Sequence, residues 1–346
     1  MTGSEVRVER AGDGDGPEWR RFLAGSGAAE VGHRWEVLDV LREVFRLEVV
    51  RLVASREGRW LAVLPLALQR SFLGTFVTSV PYFNYAGILG EDGEARAALA
   101  REALAVAEGA LADRIEIRGR EGSGPPLDAW TGKASYRLPL DGGVEGVRKA
   151  LGAKVRAQVK RPLREGFSSR IAGPGECGRF YALLARKWHE LGSPILPRTF
   201  FEKLEERLGS DVAYVLVERN GRASAAGLLL RNGTAVEIPW AASAREHDRL
   251  GVNMMLYGAA IEHAAATGAR VFDLGRSTPG TGNARFKLQW GAEEKTLVWN
   301  ARARRGRGRA AEPGDERRSL AAFAWKRLPS LAALRLGPCL AAKIPY

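Results

Sequence analysis

Cysteine is scarce in this sequence. Cys177 and Cys339 are the two present, which excludes a disulfide framework and a cysteine-rich zinc cluster and fits a reducing compartment. Histidine is almost as rare. His33, His189, His247 and His263 form no pair at metal-ligand spacing, so no metal site is expected. No apolar run reaches the roughly 18 residues of a membrane span. The opening stretch MTGSEVRVERAGDGDG lacks the apolar core of a secretory signal, and a cytoplasmic protein is expected. Signatures of nucleophiles and nucleotide loops are missing too. Ser224 and Ser243 sit in no Gly-x-Ser-x-Gly elbow, and neither a Walker loop nor a strand–Gly-x-Gly-x-x-Gly–helix unit occurs.

What is there is a chain of 346 residues, long enough for two domains. Its composition, 45% hydrophobic and 27% charged, is that of a globular protein and excludes global disorder. Lysine and arginine number 53 against 40 acids, a net charge of +13 that favours polyanionic partners. Glycine, at 41 residues, implies many tight turns.

Apolar periodicity predicts a helix over 34–45. Apolar runs at 49–55 and 60–69 flank a turn at Glu57-Gly58-Arg59 and read as a hairpin. An apolar stretch at 76–80, an alanine- and leucine-rich helix over 94–112 and a strand at 114–118 follow. The same order recurs: a helix at 198–208, a hairpin around Asn220-Gly221-Arg222, a strand at 235–240, a helix from Asn253 to Thr267 and a strand at 269–274. Gly58-Arg59 matches Gly221-Arg222, and Arg114–Arg120 matches Arg270–Arg276. A repeat this long means paired domains. The expected fold is therefore α/β (α+β), with a mixed, twisted sheet in each half.

Three further segments stand out. Residues 121–139, rich in glycine and proline, read as a linker. Residues 147–165 form a basic helix carrying Lys154, Arg156 and Lys160, which Pro162 is expected to kink or end. Residues 301–318 are a charged linker, and 320–346 is an apolar segment with scattered cations, suited to docking on the body or to lying on a membrane.

Several stretches, taken in order, carry a family resemblance: Val80–Gly87, Leu151–Lys160, Glu237–Ser243, Asn253–Tyr257, Phe272–Pro279, Arg285–Ala292 and the tail from Trp325. Together they resemble the FemAB/FemX group of GNAT-like transferases, and within it the FemAB-like proteins associated with exosortase and exopolysaccharide systems. The likeness spans about residues 30–346. It implies two tandem GNAT-like domains, at 1–140 and 141–300, the second catalytic, with 301–346 as linker and packing helix. It also implies transfer of an acyl or aminoacyl group to an amine of a cell-envelope or exopolysaccharide precursor, by direct attack and without a covalent enzyme intermediate. The donor would be an aminoacyl-tRNA, an acyl-carrier protein or acyl-CoA, with no tightly bound cofactor. Partners would be an anionic donor or acceptor, charged tRNA among them, with peripheral contact at the inner membrane face.

The catalytic candidates are Lys287, Asp273 and Arg276. Lys287 falls in the Phe-Lys pair matching the family's closing motif, where the lysine stabilises charge near the donor ester. Arg276 suits a phosphate or carboxylate, and Asp273 could take the amine's proton or pair with Arg276. Substrate-binding candidates are Asn84, Tyr85, Lys154, Arg156, Lys160, Trp240, Asn253, Tyr257, Arg285 and Phe286. Asn253 also reads as a helix cap, and Trp240 and Tyr257 equally as core. CoA-using relatives hold the pyrophosphate in a Gln/Arg-x-x-Gly-x-Gly/Ala loop. Arg249-Leu-Gly-Val-Asn253 departs from that pattern, which disfavours CoA. Three rival functions stay open: a CoA- or carrier-protein-dependent N-acyltransferase on a sugar or small amine, a non-catalytic binding protein on a transferase scaffold, and a peripheral membrane adaptor acting through Leu320–Tyr346.

Overall fold

Two matching turns show the duplication at the level of the backbone. Glu57-Gly58 and Asn220-Gly221 all have positive φ, between 52° and 77°. Each pair closes a hairpin whose last partners are Arg56 with Arg59, and Arg219 with Arg222. Two central residues with positive φ make the turn that fits the right-handed twist of paired strands. The computed structural model describes residues 5–124, 126–304 and 316–344. The chain divides into two compact units, one from the described residues up to Lys133 with 296–304 and 343–344, the other from 134–295 and 316–342.

The first unit contains β1 (Arg7–Arg10), α1 (Gly16–Ala24), α2 (Trp35–Phe45), β2 (Glu48–Arg56), β3 (Arg59–Ser71), β4 (Gly74–Thr78), α3 (Gly93–Gly109), β5 (Arg114–Arg118) and β6 (Asp128–Trp130). Its sheet runs β1-β2-β3-β4-β5, then a late strand, Trp299–Ala303, then β6. β4 and β5 are parallel, joined through α3, and the other pairs are antiparallel. Alanine and leucine along α3 bury against β2 and β3 around Leu52, Leu64, Leu66 and Leu99.

The second unit contains β7 (Ala134–Pro139), α4 (Gly143–Ala150), α5 (Ala153–Arg164), β8 (Ser168–Ala172), α6 (Cys177–Leu191), α7 (Arg198–Leu208), β9 (Val212–Arg219), β10 (Arg222–Asn232), β11 (Ala235–Ser243), α8 (Val252–Ala266), β12 (Val271–Ser277), α9 (Gly282–Leu288) and β13 (Glu293–Thr296). The late strand of the first unit is β14, and α10 (Glu316–Lys326) and α11 (Ser330–Ala341) complete the second. The sheet order is β13-β7-β12-β11-β10-β9-β8. α8 lies across β8–β10 and is covered in turn by α4 and α5, while α6 packs on β10 and β11.

Both sheets are mixed, as the alternation of hairpins and crossover helices predicts. The boundaries expected at 140 and 300 fall elsewhere. Ala134–Pro139 is a strand of the second sheet, paired to β12, and Trp299–Ala303 is a strand of the first, between β5 and β6. The stretch 121–139, expected as a linker, thus holds two strands. The expected basic helix is two helices, broken at Leu151-Gly152, and Pro162 sits inside the last turn of α5 without ending it. Residues 305–315 of the expected charged linker, and the last two residues, lie outside the described residues.

Candidate active site

β11 and β12 are parallel for only three pairs, from Ala235 with Val271 to Glu237 with Asp273. Beyond that point β11 runs on to Ser243 and β12 to Ser277. Each strand carries an extra residue just past the end of the pairing. Against β10, the register of β11 slips between Trp240 and Glu237; against β7, that of β12 slips between Asp273 and Arg276. Bulges bend a strand and interrupt its ladder, and two of them at one level part the strands. Gly275, at φ 75°, supplies the left-handed residue in β12. Asp273 holds the bend by accepting a hydrogen bond from the Gly275 N–H at 2.7 Å.

Lys287 stands at this bend. It lies on α9, a short helix capped by the Thr281 hydroxyl, which accepts from the Ala284 N–H. Its side chain is only 8% exposed, and its Nζ donates to the Arg276 carbonyl at 2.8 Å. The ammonium also faces the Tyr136 ring, 5.4 Å from its centroid. Burial lowers the Lys287 pKa to about 8; nearby Asp273 opposes the shift and Arg276 adds to it. One of the lysine's three N–H donors is taken by the carbonyl, which leaves others for an oxygen arriving at the splay.

Asp273 is 1% exposed and pairs with Arg137 of β7 at 3.2 Å. Arg276 is half-buried at the strand end. The structure therefore brings Lys287, Asp273 and Arg276 to one strand terminus. Arg137 and Tyr136 join them from β7, a strand that sequence patterns assigned to a linker; its alternation, Ala134, Tyr136, Leu138 buried on one face, was the available signal.

Beside α9 lies an aromatic group. Phe286 meets Tyr257 of α8 edge-on at 4.9 Å, and Trp290 is 6.3–6.4 Å from both rings. Tyr257 is half-buried, and burial pushes its phenol up to about 12. Arg285 is exposed and donates to the Gly280 carbonyl. Asn253 is not the helix cap. Gly251, at φ 86°, occupies that position, and Asn253 stands in the first turn of α8. Gly251 lies against Gln158 and Pro162, so α5 crosses the start of α8. Trp240 is buried and meets Phe200 and Phe201 edge-on at 5.6 and 5.3 Å, as part of the core under α7.

A cavity of about 400 Å³ opens between α4, α5 and α8. Val147, Leu151, Val159, Ile261 and Trp290 form its apolar walls; Arg148, Arg156, Lys160 and Glu262 supply the polar ones. Arg148 holds Glu262 through two bonds, at 3.0 and 3.1 Å, and Arg156 bonds the Leu151 carbonyl. The buried Trp290 Nε1 has no hydrogen-bond partner among the described residues. Lys154 is exposed on α5 and does not line the cavity.

Asn84 and Tyr85 lie in the first unit. Asn84 is half-buried; Tyr85 is buried beside Leu297 and Trp299, with Arg120 stacked 4.0 Å from its ring centroid. Among the described residues, no group of three or more histidine, cysteine, aspartate or glutamate side chains could hold a metal ion.

Residues 153–288 match the family of acetyltransferase (GNAT) domains. No curated protein matches the sequence. The fold is similar to that of FemX, at 13% identity and a TM-score of 0.64, over 85% of this chain and 96% of that one. It is similar to a tandem GNAT protein from the clavulanic acid biosynthesis pathway, at 15% identity and a TM-score of 0.56, over 86% and 98% of the two chains. It is also similar to L-PGS from Bacillus licheniformis, at 12% identity and a TM-score of 0.55, over 90% and 97%. The second unit thus carries the residues that match a GNAT acetyltransferase domain, within a fold similar to those of FemX and of a tandem GNAT protein.

Proposed function

We propose that this protein transfers an aminoacyl or acyl group from an activated ester or thioester to an amine of a cell-envelope or exopolysaccharide precursor. The amine nitrogen attacks the donor carbonyl, the carbonyl oxygen gains charge, and the C–O or C–S bond to the carrier breaks as the nitrogen loses a proton. Lys287 is the group assigned to the developing oxyanion. Its burial at the splayed strand ends, with the ammonium held by the Arg276 carbonyl, is the observation that carries this reading. A cation in a site poor in water interacts far more strongly with a forming negative charge than one in bulk solvent.

Direct attack fits the state of Cys177. Cys177 is buried and burial pushes its pKa up to about 11, the reverse of an activated nucleophile. Asp273 and Arg137 orient the strand end, and Arg276 is assigned to a carboxylate or phosphate of a substrate. Tyr257 and Phe286, in edge-on contact, Asn253 in the first turn of α8 and the exposed Arg285 are assigned to substrate contact. The cavity under α5 is assigned to an anionic substrate group, held by Arg156 and Lys160, with the unpartnered Trp290 Nε1 as a donor. Lys154, Asn84, Tyr85 and Trp240 are further candidates for binding substrate.

The donor we favour is an aminoacyl-tRNA or an acyl-carrier protein. α5 packs on Gly251, where CoA-using relatives present a pyrophosphate loop. The acetyltransferase description of the matching family favours the second reading, a CoA-dependent N-acyltransferase. The protein would work in the cytoplasm, peripheral to the inner membrane.

A mass-spectrometric screen of purified protein with charged tRNAs, acyl-carrier proteins and acyl-CoAs against amine acceptors tests the reaction. Lys287→Met is expected to slow transfer by about 10²–10³ with folding intact. Unchanged turnover removes Lys287 from the mechanism. Thermal stabilisation by CoA and none by charged tRNA selects the second reading.

A further inference from the structure

α10 and α11 pack the wrong way round for helices of a water-soluble surface. They face the second unit with small side chains and with Trp325. Ala322 lies so close to Gly192, at the end of α6, that a Cβ there would come within 2.7 Å of its carbonyl oxygen. Gly337 packs on Ile195, where a Cβ would lie 3.1 Å away, and Trp325, Ala333 and Ala341 are buried. Five large apolar side chains point outward: Leu331 is 74% exposed, Leu320 69% and Phe323 56%, with Leu334 and Leu336 beside them. A docked amphipathic helix normally buries such residues and shows its polar face. Single exposed leucines are ordinary, but five large apolar side chains on two consecutive helices are an interaction surface.

The charges identify the partner. Lys326, Arg327 and Arg335 are exposed among these side chains, and no acidic residue occurs anywhere from Leu320 to Ile344. The Arg327 guanidinium stacks 3.3 Å from the Phe323 ring centroid, which places a cation and an aromatic at one spot on the surface. A second copy of this chain would bring the same cations face to face, which opposes self-association. Apolar side chains interleaved with cations fit the interface of an anionic bilayer, where the rings and leucines enter the acyl boundary and the cations meet phosphates. No helix among the described residues is long and apolar enough to cross a membrane, so the contact lies in the interface plane.

We propose that α10 and α11 form a docking face that holds this protein on an anionic lipid surface. The face gives the peripheral placement proposed above its contact residues, yet it does not depend on the transferred group, since binding is read without turnover. The test is flotation of the full chain with phosphatidylcholine vesicles, with and without about one third phosphatidylglycerol. Wild type should bind the anionic vesicles about tenfold more tightly than the neutral ones, and less so at high salt. Phe323→Ser, Leu331→Ser and Leu334→Ser combined should weaken binding by about tenfold or more. Lys326→Glu, Arg327→Glu and Arg335→Glu combined should abolish the preference for anionic lipid. These positions are exposed, so the variants should melt with wild type and keep transfer to a soluble acceptor. Wild type that stays unbound at low salt overturns the proposal. So does a serine variant that binds as wild type does, or lipid-free self-association that the same serine changes remove.

Discussion

Lys287 carries its charge where charge is costly, and two pH effects follow. Its folded pKa is about 8, below the ordinary lysine value of 10.5. Between those values the unfolded chain binds the extra proton, so this residue's contribution to stability rises with pH across that window and is least favourable below about 8. Lys287→Met removes the buried cation and should therefore melt no lower than wild type at pH 7, by calorimetry. Catalysis runs the other way. If the ammonium stabilises the oxyanion, kcat/KM should fall as pH rises through about 8, and Lys287→Arg should move that limb upward. A limb that stays in place belongs to another group. His33 is a structural counterpart in the first unit. Its Nδ1 accepts from the Glu30 N–H at 3.0 Å and its Nε2 meets the Gly87 carbonyl at 2.8 Å, so the ring is held neutral. Burial lowers its pKa to about 4 from 6.5. The protonated form is favoured only on unfolding, so stability is full above pH 6.5 and is lost as pH falls toward 4. Denaturant unfolding of His33→Gln should show a shallower loss across that range.

Elements show where local chemistry suffices and where packing intervenes. The hairpin turns were legible because glycine stands at the second central position of both, preceded by asparagine in the second. Glu57 accepts a φ of 52° that asparagine adopts more readily. Glu57→Asn should thus raise stability by about 0.5–1 kcal/mol in urea titration. The α5–α8 contact was not legible. Its geometry depends on Gly258, where a Cβ would lie 2.9 Å from a Val159 methyl. Gly258→Leu should destabilise by about 1–3 kcal/mol, with part of the loss recovered by Val159→Ala. Asn253 was expected to cap α8 from its side-chain chemistry. A left-handed Gly251, at φ 86°, takes that place instead, and a Cβ there would lie 3.2 Å from the Gln158 carbonyl oxygen of α5.

At the scale of the whole molecule, the charge of +13 is unevenly used. Many arginines are consumed by acids within the fold: Arg148 by Glu262, Arg186 by Glu246, Arg51 by Asp39. Lys154, Arg161, Arg164 and Lys160 are exposed along α5. A polyanion such as tRNA should therefore bind with an affinity that falls steeply with salt, and Lys154→Glu with Lys160→Glu should flatten that slope by about 2. A slope unchanged in this variant would assign polyanion attraction elsewhere on the surface.

By itself the sequence determined the duplicated order of helix, hairpin, strand, helix and strand, since periodicity and turn chemistry act over a few residues at a time. Its resemblance to the FemAB/FemX group marked Lys287, and the strand end Asp273–Arg276 lies a few residues before it. Tertiary structure alone decided the rest. Strand exchange between the sheets, with β7 on β12 and β14 beside β5, rests on pairings between residues more than a hundred positions apart. Such pairings are set by which edge is left to cover, and local preference carries no record of it. The same holds for the depressed pKa of Lys287 and for the outward leucines of α10 and α11. Both are consequences of burial, a property of what surrounds a side chain and not of its neighbours in sequence.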